Sequence, residues 1–391
     1  MDISNINYSN NDSGASIAVN RINNMLNKNG LKSEIISFND KKNITNSLKI
    51  RLFINKVLKK IISKFFNIKI NDSINFGILP SNFYKKINKS KAKIINLHWL
   101  GNEIISIKQI SKIKGPVIWT LHDMWPYTSI EHYIDEKKFI DNYTENKNDL
   151  NFILKFIFDS KIKYFKPIKI LICTSRWQLK MAQKSLIFKN TKKVLVPLPI
   201  DFKIWKPKSK NIARKNLNIQ ENRKVILFIL SHKYAHKRKG LNYVINYLSE
   251  IKKENITLIT INCENLKLKN EKIHHINFNY LNEIDDKINL YSCSDVFLMP
   301  SKIESFGQTA LEAQACNCPT VTFKNTGCED IVDHLKTGYI SEYMDQEDFS
   351  RGINFVLNSK FGENFIRDTA KKKFSEEIIA SKYKEIFKEI F

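Results

Sequence analysis

The stretch that best predicts the fold is residues 294–313, which read SDVFLMPSKIESFGQTALEA. A short apolar run is followed there by a Pro-Ser turn, and Gly307 then precedes a helical pattern. This order predicts a buried parallel strand whose carboxyl end leads into the positive end of a helix. Ligands of open α/β sheets bind at that edge, and such a helix end suits an anion such as a diphosphate.

Two glutamates flank the expected anion site. Glu304 precedes the helix, and Glu312 lies inside it, about one and a half turns after Gly307. Their carboxylates could accept hydrogen bonds from sugar or ribose hydroxyls. Taken singly, Glu304 would be an ordinary capping acid and Glu312 a solvated helix residue. The assembled stretch favours the binding site.

The same alternation of apolar runs and helical patterns extends along the chain and predicts an α/β protein with parallel sheets. Strands are predicted at residues 93–97, 117–121, 169–174, 193–197, 225–231, 257–262, 296–300 and 320–323. Prolines at 197, 199 and 207 predict a boundary between an N-terminal domain, 1–200, and a C-terminal one. A final helix is predicted over 376–391, with one apolar face formed by Ile379, Tyr383, Ile386 and Phe387.

Composition excludes several classes of protein. The 391 residues are 42% hydrophobic, which is ample for buried cores and excludes a disordered chain. No run of about 18 uncharged apolar residues is present, and the polar start predicts no secretion signal. The six cysteines are scattered, which predicts neither a disulfide framework nor a zinc site and fits a reduced cytosol.

Absent motifs narrow the choice further. The sequence contains no G-x-G, no phosphate loop, no D-x-D pair and no H-E-x-x-H. A nicotinamide dehydrogenase, a phosphate-loop ATPase and a zinc hydrolase are therefore disfavoured. We expect neither a metal nor a cofactor.

Glu304 and Glu312 form an E-x7-E element, and the surrounding P-S-x-x-E-S-F-G resembles that of the retaining family 4 glycosyltransferases. Further segments resemble the family at 13–15, 319–321, 327–332 and 338–339. Four more resemble a bacterial surface-polysaccharide, colanic-acid-like subgroup: WTLHDMW at 119–125, TSRW at 174–177, RKG at 238–240, and 374–383. The resemblance covers essentially the whole chain.

The resemblance implies the GT-B fold, in which two Rossmann-like domains face a central cleft. The C-terminal helix of that fold crosses back to the first domain. Residues 1–200 with 376–391 would then bind the acceptor, and residues 201–375 would bind the nucleotide-sugar donor.

The resemblance also implies roles for individual residues. Glu312 would hold the ribose hydroxyls of the nucleotide. Glu304, with the backbone amides of Phe306 and Gly307, would contact the transferred sugar.

The donor diphosphate would be neutralised by Lys239 and Arg238, which we expect in an exposed loop. Gly14 would allow the backbone to approach the same phosphates closely, because glycine carries no Cβ. With the helix end at Gly307, the two cations would stabilise the departing diphosphate.

His122 is the candidate for the residue beside the reacting sugar, because it follows a predicted strand in the family-like context T-L-H-D. His98 occupies a similar position and is a rival, and the adjacent Asp123 is a second-tier candidate that could hold the imidazole. Residues 128–133 read TSIEHY where relatives often carry glycines and cysteines. That segment would face the acceptor, so acceptor chemistry is not transferred by resemblance.

Residues 41–71 contain nine basic residues and no acidic one. Apolar pairs at 57/58, 61/62 and 65/66 recur every four residues, which on a helix gives an apolar stripe and a basic face. Packing on the N-terminal sheet would explain this pattern, and so would an interfacial membrane helix. The predicted membrane-binding residues are Lys56, Lys59, Lys60, Lys64, Phe65 and Phe66.

Together these observations predict a retaining, metal-independent, hexosyltransferase-type enzyme that moves a sugar from a nucleotide-diphosphate sugar to a lipid-linked surface glycan. It would be cytoplasmic and peripheral on the inner face of an anionic membrane, with no nucleic acid partner. One alternative is a nucleotide-sugar epimerase of similar two-domain fold. Another is a basic nucleic-acid-binding protein, supported only by the net charge of +25.

Overall fold

The computed structural model describes residues 1–9, 13–39, 46–65, 74–134, 139, 149–230, 235–251, 255–264, 266–279, 281 and 283–390. The chain divides into two compact units. The first contains Met1–Pro199 and Ile379–Phe391, and the second contains Ile200–Ile378. Each unit is built on a parallel sheet of six strands, so the predicted α/β class is confirmed.

The first unit contains the strands β1 (Ile3–Ser9), β2 (Ser33–Asn39), β3 (Ile94–Leu97), β4 (Val117–Thr120), β5 (Ile168–Cys173) and β6 (Lys192–Leu195). Their order across the sheet is β2-β1-β3-β4-β5-β6. Its helices include Gly14–Lys28, Asn46–Phe65, Phe83–Ile87, Ile107–Ile110, Asp149–Tyr164, Arg176–Lys184 and most of Glu376–Ile390. The strand order reverses between β1 and β3, which is where ligands of such sheets bind.

The C-terminal helix Glu376–Ile390 packs into the first unit with the predicted face inward. Ile379, Tyr383, Ile386 and Phe387 are all buried. The hydroxyl of Tyr383 lies 3.3 Å from Oγ1 of Thr120, at the end of β4. The end of the chain is therefore part of the first sheet's core.

The second unit contains the strands β7 (Lys224–Ile229), β8 (Ile256–Ile261), β9 (His274–Phe278), β10 (Val296–Met299), β11 (Thr320–Phe323) and β12 (Gly338–Ser341). Their order is β12-β11-β10-β7-β8-β9. Its helices include Lys210–Asn216, Leu241–Glu250, Ile284–Cys293, Gln308–Ala315, Gln346–Asn358 and Phe365–Phe374. The chain winds outward from β7 to β9, returns beside β7 as β10, and winds the other way to β12. The switch point therefore lies between β7 and β10.

The core of the second unit forms because its central strands are uninterrupted apolar runs with helices packed against them. Phe228 on β7, Leu298 on β10 and Phe323 on β11 are buried together with Val244 from a helix. Tyr243 meets Phe323 edge to face, with ring centroids 4.8 Å apart. This packing holds the carboxyl ends of β7 and β10 in fixed register.

All six cysteines are buried free thiols. Within the described part of the chain, no helix combines the length and apolarity that crossing a membrane requires.

Candidate functional site

The two loops at the switch point of the second sheet bring Arg238, Lys239 and Glu304 together. Arg238 and Lys239 lie near the end of the connection after β7, and Glu304 follows β10. Nζ of Lys239 is 2.6 Å from Oε2 of Glu304, and Nη1 of Arg238 is 3.6 Å from the same oxygen. Three predicted site residues thus form one charged cluster.

Backbone contacts fix the two loops against each other. The Lys302 N–H donates to the Arg238 carbonyl at 2.8 Å, and Nη1 of Arg238 donates to the Ile303 carbonyl at 2.9 Å. Gly240 has a φ of 73°, and a Cβ there would lie 2.0 Å from the Pro300 oxygen. Only glycine permits this approach, so Gly240 sets how close Lys239 comes to Glu304.

Glu304 is held as a carboxylate. Burial by itself would raise the pKa of Glu304, but the charges of Lys239 and Arg238, with hydrogen bonds from Lys239 and the Ser305 backbone, lower it below its ordinary value. The side chains of Lys239 and Glu304 are each only 12% exposed. The expectation of an exposed loop is therefore wrong for Lys239, whose ammonium is largely enclosed because it pairs with a carboxylate that is itself largely shielded from water.

Gly307 begins the helix Gln308–Ala315 with a φ of 101°. Among the described residues, no side chain caps this helix start by a hydrogen bond. A Cβ on Gly307 would lie 2.5 Å from Sγ of Cys328, and the Gly327 N–H donates to the Glu304 carbonyl at 2.8 Å. A third loop therefore closes on the charged cluster, beside the positive end of a helix.

Phe306 contributes its side chain to packing. Its ring is buried and meets Phe374 edge to face at a centroid distance of 5.9 Å. The predicted role of its backbone amide stays a prediction.

Glu312 is buried within the helix that follows Gly307. The alternative that it is a solvated helix residue is therefore wrong. Its Oε2 accepts a hydrogen bond from the Tyr291 hydroxyl at 3.1 Å. Sequence reasoning missed Tyr291, and no local pattern marks it, because its partner is on another helix.

In the first unit, the two rival histidines are partners. His98 follows β3 and His122 follows β4. Their rings stack with centroids 5.1 Å apart, and Nδ1 of His98 is 2.9 Å from Nε2 of His122. Burial lowers the pKa of His122 to about 4, although the neighbouring Asp123 acts in the opposite direction. His122 is therefore neutral at physiological pH.

Asp123 holds a different imidazole from the one we expected. Its Oδ2 lies 2.5 Å from Nδ1 of His132 and accepts from Nε1 of Trp99 at 2.7 Å. All three side chains lie at the carboxyl edge of the first sheet or in the loops beyond it. Sequence reasoning missed His132 and Trp99, although His132 belongs to the segment 128–133 that departs from the relatives.

Gly14 is the first residue of the helix Gly14–Lys28, whose start is capped by the Ser13 hydroxyl. It is exposed at the carboxyl edge of β1. Whether it approaches a phosphate stays a prediction. In the described ranges, no three His, Cys, Asp or Glu side chains are grouped as a metal ion would require.

The predicted basic helix is observed as Asn46–Phe65. One face is buried and contains Leu48, Asn55 and Ile62. The opposite face is an exposed apolar stripe of Ile50, Phe53, Val57 and Ile61. The predicted apolar pairs 57/58 and 61/62 are thus each divided between the two faces, because neighbours on a helix are about 100° apart.

Lysines form a row beside this stripe. Lys56, Lys60 and Lys64 are exposed, and each follows a stripe residue by three positions. The expectation that Lys59 joins this row is corrected, because its side chain is half-buried on another face of the helix. Burial lowers the pKa of Lys59, although the nearby Glu103 opposes this. The side chain of Phe65 and the whole of Phe66 lie outside the described residues.

Comparison with known proteins tests the predicted family and fold. Residues 209–373 match the family model for the group 1 glycosyl transferases. The resemblance to this class of glycosyltransferases is thereby confirmed for the part of the chain that carries Arg238, Lys239, Glu304 and Glu312.

Two relatives are similar in sequence to this chain. A 41.2 kDa protein of unassigned function from the cps region of Klebsiella pneumoniae is 26% identical over 78% of this chain and 81% of its own. The N,N'-diacetylbacillosaminyl-diphospho-undecaprenol alpha-1,3-N-acetylgalactosaminyltransferase of Campylobacter jejuni is 27% identical over 46% of this chain. That match spans 48% of the Campylobacter protein, about half its length.

Two solved structures share the fold over their whole length. Sucrose-phosphate synthase from Thermosynechococcus elongatus has a TM-score of 0.67 at 15% identity, with 100% of this chain and 99% of the other covered. The Anabaena HepE protein in complex with UDP-glucose has a TM-score of 0.62 at 15% identity, with 100% of both chains covered. The predicted GT-B fold is confirmed.

Proposed function

We propose that this protein is a retaining, metal-independent glycosyltransferase that moves a sugar from a nucleotide-diphosphate sugar to a lipid-linked surface glycan. The observation that carries this proposal is the cluster of Arg238, Lys239 and Glu304 at the switch point of the second sheet. The family match supports it, as do the relative from a cps region and the relative named as a transferase that acts on a diphospho-undecaprenol substrate.

The charge of the cluster suits a departing diphosphate. Two cations face one carboxylate, so one positive charge remains for a ligand. When the bond between the sugar and the diphosphate breaks, negative charge grows on the leaving oxygen. Lys239, Arg238 and the helix end at Gly307 stabilise that charge, and their partial enclosure strengthens the effect because water is excluded.

Glu304 contacts the transferred sugar in this proposal. A carboxylate whose pKa is lowered by two cations is a weak nucleophile and a good acceptor of hydrogen bonds. We therefore assign Glu304 to sugar hydroxyls rather than to a covalent intermediate. Glu312, oriented by Tyr291, binds the ribose hydroxyls, and His122 lies beside the reacting sugar.

The acceptor reaches the enzyme at an anionic membrane surface on the cytoplasmic side. The exposed stripe of Ile50, Phe53, Val57 and Ile61 enters the interface, and the row of Lys56, Lys60 and Lys64 faces the lipid headgroups. Each engaged lysine contributes about 1 kcal/mol near such a surface. Lys59 takes no part because it lies on another face.

The direct test is a panel of sugar nucleotides, including UDP-glucose, screened by thermal shift against the full chain. A donor at 100 times its Kd stabilises the protein by about 2.7 kcal/mol. The best donor is then incubated with a lipid-linked acceptor, and release of nucleoside diphosphate is followed. Transfer requires the acceptor, whereas an epimerase would yield an isomerised sugar nucleotide without it.

Lys239→Ala is the informative variant for this test, and Lys237→Ala is its matched control. Lys237 is exposed and lies two residues away on the same loop. We expect Lys239→Ala to lose transfer and Lys237→Ala to keep it. Equal activity in the two variants would remove the charged cluster from the active site.

A further inference from the structure

A chain of buried hydrogen bonds ends at the imidazole of His122. Oγ1 of Thr120 donates to Oδ1 of Asn96 at 3.0 Å, and Nδ2 of Asn96 donates to Oδ1 of Asn5 at 3.1 Å. Nε2 of His98 lies 3.0 Å from the same Asn5 oxygen. The side chains span β1, β3 and β4, so the chain of bonds crosses the switch point of the first sheet.

The orientation of the Asn5 amide is set by a backbone group. Nδ2 of Asn5 lies 3.3 Å from the Glu34 carbonyl, which can only accept a hydrogen bond. The amide oxygen of Asn5 must therefore face His98. Because that oxygen also only accepts, Nε2 of His98 has to carry a hydrogen.

The opposite tautomer of His98 is disfavoured by the same contact. It would place two lone pairs against each other across 3.0 Å, one on Nε2 of His98 and one on Oδ1 of Asn5. Nδ2 of Asn96 is also 3.0 Å from Nε2 of His98 and carries two hydrogens. The three atoms lie 3.0 to 3.1 Å from one another, so Asn5 and His98 are only about 60° apart as seen from Nδ2, whereas its two hydrogens are about 120° apart. A hydrogen of Asn96 that points at Asn5 therefore leaves none aligned with His98. A hydrogen on Nε2 of His98 therefore satisfies the contact with Oδ1 of Asn5. The approach of Nδ2 of Asn96 to Nε2 is then a close contact without a hydrogen bond.

A neutral His98 then determines the state of His122. Burial, with a smaller effect of the His122 imidazole, lowers the pKa of His98 well below its ordinary value. A neutral ring with a hydrogen on Nε2 has a lone pair on Nδ1. Nε2 of His122, 2.9 Å away, must donate to that lone pair. The remaining nitrogen of His122, Nδ1, is therefore an acceptor.

We infer that His98 is a positioning residue that fixes the tautomer of His122 so that Nδ1 accepts a hydrogen bond from a sugar hydroxyl. This inference rests on the proposed function, which places His122 beside the reacting sugar. Among the described residues, none bonds to Nδ1 of His122, so that nitrogen is available to a ligand. His122 acts as a neutral acceptor, because its donor hydrogen is committed to His98.

The tautomer can be measured without any substrate. Nitrogen-15 NMR of the full chain labelled at histidine distinguishes a protonated ring nitrogen from one with a lone pair. We expect His122 to carry its hydrogen on Nε2 in the wild type. His98→Leu removes the acceptor at similar volume and should give a mixture of tautomers, whereas His98→Asn offers an amide oxygen near the position of Nδ1 and should restore the wild-type form.

Tyr383→Phe provides a matched control, because it removes a hydroxyl from the far end of the bonded chain without touching His98. It should leave the His122 tautomer unchanged. A hydrogen on Nδ1 of His122 in the wild type would overturn the inference. An unchanged tautomer in His98→Leu would overturn it too.

Kinetics with UDP-glucose as the donor probe test the functional half. We expect His98→Leu to lower kcat about tenfold, which corresponds to about 1.4 kcal/mol in the transition state, with a smaller change in KM. His98→Asn should recover most of this loss. Normal transfer by His122→Ala would overturn the positioning role. Absence of turnover with every donor, together with the expected tautomer, would count against the proposed function alone.

Discussion

Nζ of Lys239 lies 2.6 Å from Oε2 of Glu304, and both groups are largely shielded from water. Such a pair gains Coulomb energy only by first losing hydration, and removal of one partner leaves the other as an uncompensated charge. Lys239 is therefore part of the fold of the site as well as a candidate ligand for a diphosphate. Substitution of Lys239 should therefore reduce the stability of the protein as well as its activity.

We expect Lys239→Ala to abolish transfer and also to lower the free energy of unfolding by about 3 kcal/mol, because Glu304 would be left buried. In the exposed loop that the sequence led us to expect, the same substitution would cost little stability. Urea denaturation measures the loss. The double variant Lys239→Ala/Glu304→Ala should be less destabilised than the two single losses added together, and simple additivity would contradict the coupling.

Calorimetric titration should distinguish the roles of Glu304 and Glu312, because their variants should change nucleotide affinity differently. Glu312→Gln should weaken binding of the donor and of the free nucleoside diphosphate alike, because both contain the ribose. Glu304→Gln should impair transfer but retain nucleoside diphosphate binding, since it frees Lys239 and Arg238 for the phosphates. Equal loss of nucleotide affinity in both variants would show that this division of roles is wrong.

Tyr291→Phe tests the orientation of Glu312. The variant removes the hydroxyl that donates to Glu312, at 3.1 Å, and keeps the ring. We expect a loss of nucleotide affinity of about tenfold or less, smaller than that of Glu312→Gln. A hydrogen bond to a charged group contributes roughly 1.5–3 kcal/mol, and only part of that contribution reaches the nucleotide because Tyr291 acts through Glu312. A larger effect than Glu312→Gln would mean that Tyr291 itself contacts the nucleotide.

Stability should fall as the pH drops from about 6.5 towards 4. The folded pKa of His122 is lowered to about 4, so in this window the unfolded chain binds a proton that the folded chain does not. Linkage then gives a loss of up to about 1.4 kcal/mol per pH unit for this group. Urea midpoints at pH 7.5, 6.5 and 5.5 should decline less steeply in His122→Asn than in the wild type, and parallel declines would exclude this origin.

Membrane binding should depend on the lysine row rather than on net charge. Lys56→Glu, Lys60→Glu and Lys64→Glu together should release the protein from anionic vesicles. The control carries the same charge change at Lys85, Lys89 and Lys91, which are exposed in the same unit. Binding should also weaken above physiological salt, where the Debye length falls below about 8 Å. Equal flotation of the two variants would leave the stripe without a membrane role.

The strands that could be predicted share a simple chemistry. All eight predicted strands are observed within about two residues at each end, because buried parallel strands read as continuous apolar runs. The four that were missed contain polar or glycine positions: Ile3–Ser9, Ser33–Asn39, His274–Phe278 and Gly338–Ser341. Asn5 and Asn7 interrupt the first of these because their amides are bonded inside the sheet. A search for continuous apolar runs does not detect strands that contain buried polar residues of this kind.

The site was predictable as a set of residues but not as a set of contacts. Motif resemblance selected Lys239, Glu304 and His122 one by one, and the position after a predicted strand marked His98 as a rival. It could not show that His98 and His122 bond to each other, or that Asp123 takes His132 as its partner. Pairings between distant positions depend on which strands are neighbours in the sheet, and no short segment of sequence determines that strand order.

The contact between Gly240 and the Pro300 carbonyl has a consequence for sequence divergence. A methyl group at position 240 would have to displace the backbone that leads from β10 to Glu304. Mutational drift at either position is therefore conditional on the other, and the two loops should vary as one unit across homologous chains. A family alignment in which position 240 accepts larger side chains should also show insertions or deletions between residues 300 and 307.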